Sequence, residues 1–154
     1  METLNQNWQS VSEIELIYRT KIKASERPQI KSSKEAYRLA LSAWNPNKIE
    51  LFEQFKVLFL NNASRALGIY EISSGGITGT VVDLRLIFSA ALKANATALI
   101  IIHNHPSGQL GASEADRQIT RKIKEAGKLL DISLVDSLII TSENYYSFAD
   151  DGIL

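Results

Sequence analysis

No cysteine occurs in this sequence. Disulfides, thiolate nucleophiles and every zinc site built with sulfur are therefore excluded, and any metal must be held by nitrogen and oxygen. Long apolar runs are also missing. The longest, residues 98–102, is far too short to span a bilayer, and the polar start Met1-Glu2-Thr3-Leu4-Asn5-Gln6 lacks the basic-then-apolar order of a secretory signal. The expectation is a cytoplasmic chain with no membrane association. An excess of one charge is absent too: 17 basic residues balance 17 acidic ones, so net charge offers no support for a nucleic-acid partner. Histidine is scarce, with two in the chain. What is present, 154 residues of which 45% are apolar, suits an ordinary globular fold with a real core.

Residues 12–23 alternate, with Ile14, Leu16, Tyr18 and Ile22 on one side and charged residues mostly on the other, the pattern of a half-buried strand. A loose tail of about ten residues precedes it. Ser32-Ser33-Lys34-Glu35 reads as a capping box opening a helix through Trp44, and Asn45-Pro46-Asn47 closes it. Residues 55–60 and 66–72 read as strands, joined into a hairpin by Asn61-Asn62-Ala63-Ser64. Asp83 is an N-cap for a helix over 84–94, and the apolar run 98–102 is a buried strand. Ser113 with Asp116 opens an amphipathic helix to Leu129 or Leu130; strands over 132–140 and 145–148 follow. This order predicts an α/β fold, a mixed β-sheet flanked by helices. It divides into a strand–helix leader, 1–45, and a region 46–154 that carries the chemistry.

That chemistry centres on the two histidines, His103 and His105, at the end of the apolar strand. A two-residue strand period points both imidazoles to one side. Asp116 follows with ten residues between, in the first turn of the next helix. Two nitrogens and a carboxylate make a ligand set for a hydrolytic metal site, which keeps a fourth position for water. A second reading stands beside it: histidines at a strand end can be hydrogen-bonded structural residues, and Ser-x-x-Asp is also a helix cap.

The run His103-Asn104-His105-Pro106, six residues, then Ser113-Glu114-Ala115-Asp116 resembles the JAMM signature of the JAB/MPN metalloproteases. His103-Asn104-His105-Pro106-Ser107-Gly108 and the preceding Ala90-Ala91-Leu92-Lys93-Ala94-Asn95-Ala96 look most like the RadC-like branch, over about residues 49–154. The resemblance implies a cytidine-deaminase-like architecture and a Zn2+ ion held by His103, His105 and Asp116. It further implies a glutamate at the head of an early strand as general base and then acid. Glu53 matches that position, with Glu50 and Glu71 as competitors. Ser113 matches the serine that hydrogen-bonds the oxyanion. The implied activity is a zinc-dependent metallopeptidase or isopeptidase acting on a polypeptide.

Two departures bear on this expectation. RadC-like proteins usually follow the aspartate of the late strand with histidine, whereas Asp136 is followed by Ser137. Many full-length members begin with a helix-hairpin-helix region, and residues 1–45 read differently, so no DNA-binding module is expected in them. The competing function the resemblance implies is a DNA repair or recombination accessory; a metal-stabilised scaffold without turnover is a third. Arg117, Arg121, Lys122, Lys124 and Lys128 spread around their helix and read as a solvated face. The run Ser73-Ser74-Gly75-Gly76-Ile77-Thr78-Gly79-Thr80 lacks the lysine of a phosphate loop and reads as a loop shaping the cleft.

Overall fold

The strand that ends in the histidines lies at the centre of the sheet. The computed structural model describes residues 10–15, 17–75 and 81–154. Its elements in order are α1 (Ser33–Ser42), β1 (Gln54–Leu60), β2 (Ala66–Ser74), α2 (Leu84–Lys93), β3 (Ala98–Asn104), α3 (Glu114–Leu129), β4 (Ser133–Ile140) and β5 (Tyr145–Ser147). The five strands form one sheet in the order β2-β1-β3-β4-β5. Only β3 and β4 run parallel; every other neighbouring pair is antiparallel. This is the mixed α/β sheet expected, with the hairpin at one side and a β3-α3-β4 crossover at the other.

Both faces of the central strands are covered, which is why they read as continuous apolar runs rather than alternating ones. Phe55, Val57 and Phe59 of β1 join Leu99 and Ile101 of β3, Ile87 and Phe88 of α2 and Ile123 of α3 in one core. Leu58, Leu60, Ile100 and Ile102 face the other way, into a second core with Ala36 and Ala40 of α1 and Leu138 and Ile140 of β4. Thus α1 packs directly on the sheet.

Local chemistry sets the helix starts. The Ser32, Asp83 and Ser113 side chains each accept a backbone N–H of the first turn, as N-caps do. The first helix ends at Ser42, two residues short of Trp44; there the chain tightens, with Ala43 N–H donating to Ala40 O at 3.0 Å and Trp44 N–H to Leu41 O at 3.2 Å. In the β1–β2 turn, the Asn61 side chain accepts the N–H groups of Ala63 and Arg65, each at 3.0 Å.

The expected strand over 12–23 is not formed by the described residues of that stretch. Ile14 is 84% exposed and Ile22 52%, so these two members of the apolar side are not packed. Alternation specifies a face but does not supply a neighbouring strand. The outer side of β2 is met instead by the Gln29–Arg65 bridge and by Tyr18, whose hydroxyl donates to the Leu67 carbonyl at 2.6 Å. Residues 1–9 of the expected tail, Leu16 and residues 76–80 of the cleft loop lie outside the described residues. No helix among the described residues is long and apolar enough to cross a membrane.

Candidate metal centre

His103 and His105 lie two residues apart at the end of β3, and their Nε2 atoms approach to 3.1 Å. Backbone pairing continues past the strand, where His105 N donates to Ile140 O at 3.1 Å, so both residues stay fixed to β4. The Phe55 ring lies nearly parallel to His103, with centroids 6.1 Å apart, and closes one side of that imidazole. His103 Nδ1 is buried without a hydrogen-bond partner. All polar contact of that ring is therefore made through Nε2.

His105 is oriented by a different device. Gly108 adopts φ +83°, a left-handed turn suited to glycine, and its N–H donates to the His105 carbonyl at 3.0 Å. The reversed chain brings the Gln109 carbonyl 2.7 Å from His105 Nδ1. A carbonyl can only accept, so Nδ1 carries a proton; Nε2 faces Asp116, to which the doubly protonated ring donates and from which the neutral ring would turn a lone pair to a metal ion.

Asp116 caps its helix and also faces both histidines. Its Oδ2 accepts the Ser113 N–H at 2.8 Å while its own N–H donates to Ser113 Oγ at 3.1 Å, a complete capping box. The same carboxylate places Oδ1 3.2 Å from His103 Nε2 and Oδ2 3.5 Å from His105 Nε2. Burial works against its ionisation, but hydrogen bonds from both histidines and from the Ser113 backbone prevail and hold it well below the usual carboxylate range. The Asp116 hydrogen bond, against the opposing effect of burial, raises His105 in turn.

These contacts fit a metal ion. Donor atoms of His103, His105 and Asp116 all lie within 4.8 Å of one another. A tetrahedral ion with bonds of about 2.0 Å separates its ligand atoms by about 3.3 Å, close to the 3.1, 3.2 and 3.5 Å contacts observed. Two nitrogens and one oxygen leave a position open.

Glu53 stands one residue before β1 and lines a cavity of about 190 Å³ together with His103, Asp116, Phe55, Val82, Ala115 and Ile119. Burial raises its carboxyl above the ordinary glutamate value; the two histidines pull it down and Asp116 pushes it up. Its competitors lie elsewhere. Glu50 accepts from Ser142 Oγ at 2.9 Å beside a separate cleft of about 320 Å³, which also touches His105. Glu71 sits on β2 and receives a hydrogen bond from Gln54 Nε2. Ser113 is exposed, one turn before Asp116, and accepts there as a cap, which leaves its hydroxyl proton free to donate.

Three contributors were missed in the sequence. Thr120 Oγ1 donates to the Asp116 carbonyl at 2.8 Å and lies 3.1 Å from Ser137 Oγ. Ser137, at the position of the departure from the family pattern, thus braces the helix that holds Asp116. The Thr120 contact has a local i, i+4 spacing and could have been read; Ser137 required the fold. The third is Asn104, between the two histidines.

A mixed sheet that delivers His-x-His from a strand end to an aspartate in the next helix's first turn defines a JAB/MPN domain. Residues 30–153 match the family model of the RadC-like JAB domain, and the chain belongs to that family. It is 51% identical over 126 residues to a UPF0758 protein of Flavobacterium johnsoniae, covering 81% of this chain and 53% of the relative. With a UPF0758 protein of Porphyromonas gingivalis it shares 38% identity over 136 residues, 87% of this chain and 60% of that one. One from Haemophilus ducreyi is 44% identical over 99 residues, 64% and 44% of the two chains. The chain spans about half the length of the curated relatives it matches.

Proposed function

We propose that this chain is a zinc-dependent hydrolase of amide or isopeptide bonds in a polypeptide, with His103, His105 and Asp116 as the metal ligands. The observation that carries the reading is the convergence of both Nε2 atoms and the Asp116 carboxylate on one another, beside the cavity that His103, Asp116 and Glu53 line. Zinc held there supplies Lewis acidity, bringing the ionisation of a bound water to about pH 7.

The chain's own groups do the rest. Glu53, half-buried and with its carboxyl raised, accepts a proton from the attacking water as the oxygen bonds to the scissile carbonyl carbon. It returns that proton to the amine nitrogen as the C–N bond breaks. The hydroxyl of Ser113 donates to the carbonyl oxygen as negative charge develops on it. The histidines, with a smaller contribution from the Ser113 N–H, keep the Asp116 carboxylate ionised, and the capping box holds it aimed at them.

A DNA-accessory role draws less support. Among the basic side chains of α3, Arg121 is paired with Glu114 at 3.2 Å and Lys124 donates to the Leu154 carbonyl at 2.9 Å, leaving no continuous stripe for phosphates.

The test is turnover of a mixed library of peptides and lysine-isopeptide conjugates by zinc-loaded protein. Glu53→Gln keeps its zinc and loses about 10²- to 10⁴-fold in rate, as expected for removal of a general base. Cleavage by Glu53→Gln at the wild-type rate contradicts the role given to this residue.

A further inference from the structure

Asn104 is fully buried, at 0% exposure. Its neighbours His103 and His105 turn to one side of the strand end, and its amide turns to the other, where it makes three hydrogen bonds to one short segment. Oδ1 accepts the N–H of Gln54 at 2.7 Å, and Nδ2 donates to the carbonyls of Ile49 at 2.7 Å and Phe52 at 2.9 Å. Phe52 and Gln54 are the residues on either side of Glu53.

We propose that Asn104 is a positioning residue that fixes the Glu53 backbone relative to the two histidines. The β1–β3 ladder ends at the Phe55–His103 pair. At the next step the Asn104 side chain replaces the main chain as the partner of Gln54 N–H. One amide therefore bonds to the peptide groups before and after Glu53, while the Glu53 carbonyl is taken by Gly75 N–H at 2.9 Å. Holding a carboxylate to within a fraction of an ångström of a reacting centre is what a general base requires, because a shift of about 1 Å can cost on the order of 100-fold. Only an asparagine-like group serves. Aspartate would set negative charge against two carbonyls, and alanine would leave two carbonyls and an N–H buried without partners.

The assignment of Glu53 as the group being positioned rests on the hydrolase reading; the clamp itself does not. Two measurements on the full chain separate them. In metal-free protein, amide exchange over residues 49–54 rises on the order of 10- to 100-fold in Asn104→Ala, while exchange across β4 stays within about twofold. With cobalt(II) as the bound probe, Asn104→Ala keeps one ion per chain and its visible spectrum moves to that of Glu53→Gln. Adding Glu53→Gln to Asn104→Ala then changes nothing further, the coupling expected when one residue acts through the other. A general loss of packing would lower stability without this spectral convergence. Wild-type exchange over 49–54, or a wild-type cobalt spectrum in folded Asn104→Ala, overturns the proposal. Should the alanine variant fail to fold, Asn104→Ser is judged by the same two criteria. A wild-type chain that takes up no cobalt removes the metal reading, and the exchange comparison still decides the clamp.

Discussion

Asp116 shows how one side chain can satisfy two demands: Oδ2 caps the helix and also faces His105, while Oδ1 faces His103. Asp136 presents a sharper conflict. It is 4% exposed and accepts from Ser137 N–H at 2.7 Å, Ser147 Oγ at 2.6 Å and Ala149 N–H at 3.0 Å. Burial still raises its carboxyl above the ordinary value, with Asp150 pushing the same way, although these three donors oppose the shift. The folded chain therefore holds this proton more tightly than the unfolded chain. The stability Asp136 contributes is fullest below the unfolded aspartate value and is lost as pH rises through the raised folded value. Asp136→Asn keeps the acceptor for both N–H groups and can donate to Ser147. Urea denaturation of the two proteins between about pH 4 and pH 7 will show the wild type losing ground to the variant as pH rises; a difference independent of pH contradicts this account. At this scale, the cluster of His103, His105 and Asp116 was legible because residue types at fixed spacing suffice to find it. Asn104 and Ser137 were not, since their partners stand 50 to 55 and 17 residues away in sequence.

Among the elements, α3 carries the heaviest constraint, holding Asp116 at one end and turning into β4 at the other. Gly127 makes that turn possible. A Cβ there would lie 2.3 Å from the Ile132 carbonyl oxygen, and the Gly127 carbonyl accepts Ile132 N–H at 2.8 Å. Alanine would improve helix propensity by about 1 kcal/mol, but relieving a main-chain overlap means moving the helix–strand junction. Gly127→Ala is expected to lose about 1–3 kcal/mol of stability by denaturant titration, and a variant as stable as wild type would show that the junction yields freely. Helices and the hairpin were readable because their signals are local: caps at Ser32, Asp83 and Ser113, turn chemistry at Asn61. Residues 12–23 have an equally clear pattern and form no strand among their described residues. A strand depends on a partner that its own sequence does not name.

For the molecule as a whole, the alternation of elements was enough to anticipate a mixed sheet with helices on both faces. It did not disclose that β1 would sit between β2 and β3, which places Glu53 beside the histidines. Nor did it disclose that two cavities would flank the end of β3, one shared by His103, Asp116 and Glu53 and the other touching His105 and Glu50. The central claim is that this end of the sheet is a metal centre. It is tested most directly by metal analysis of the purified chain after dialysis against dilute zinc. The account predicts one zinc per wild-type chain and none retained by a folded His103→Ala variant; a folded wild-type chain that emerges free of zinc contradicts it.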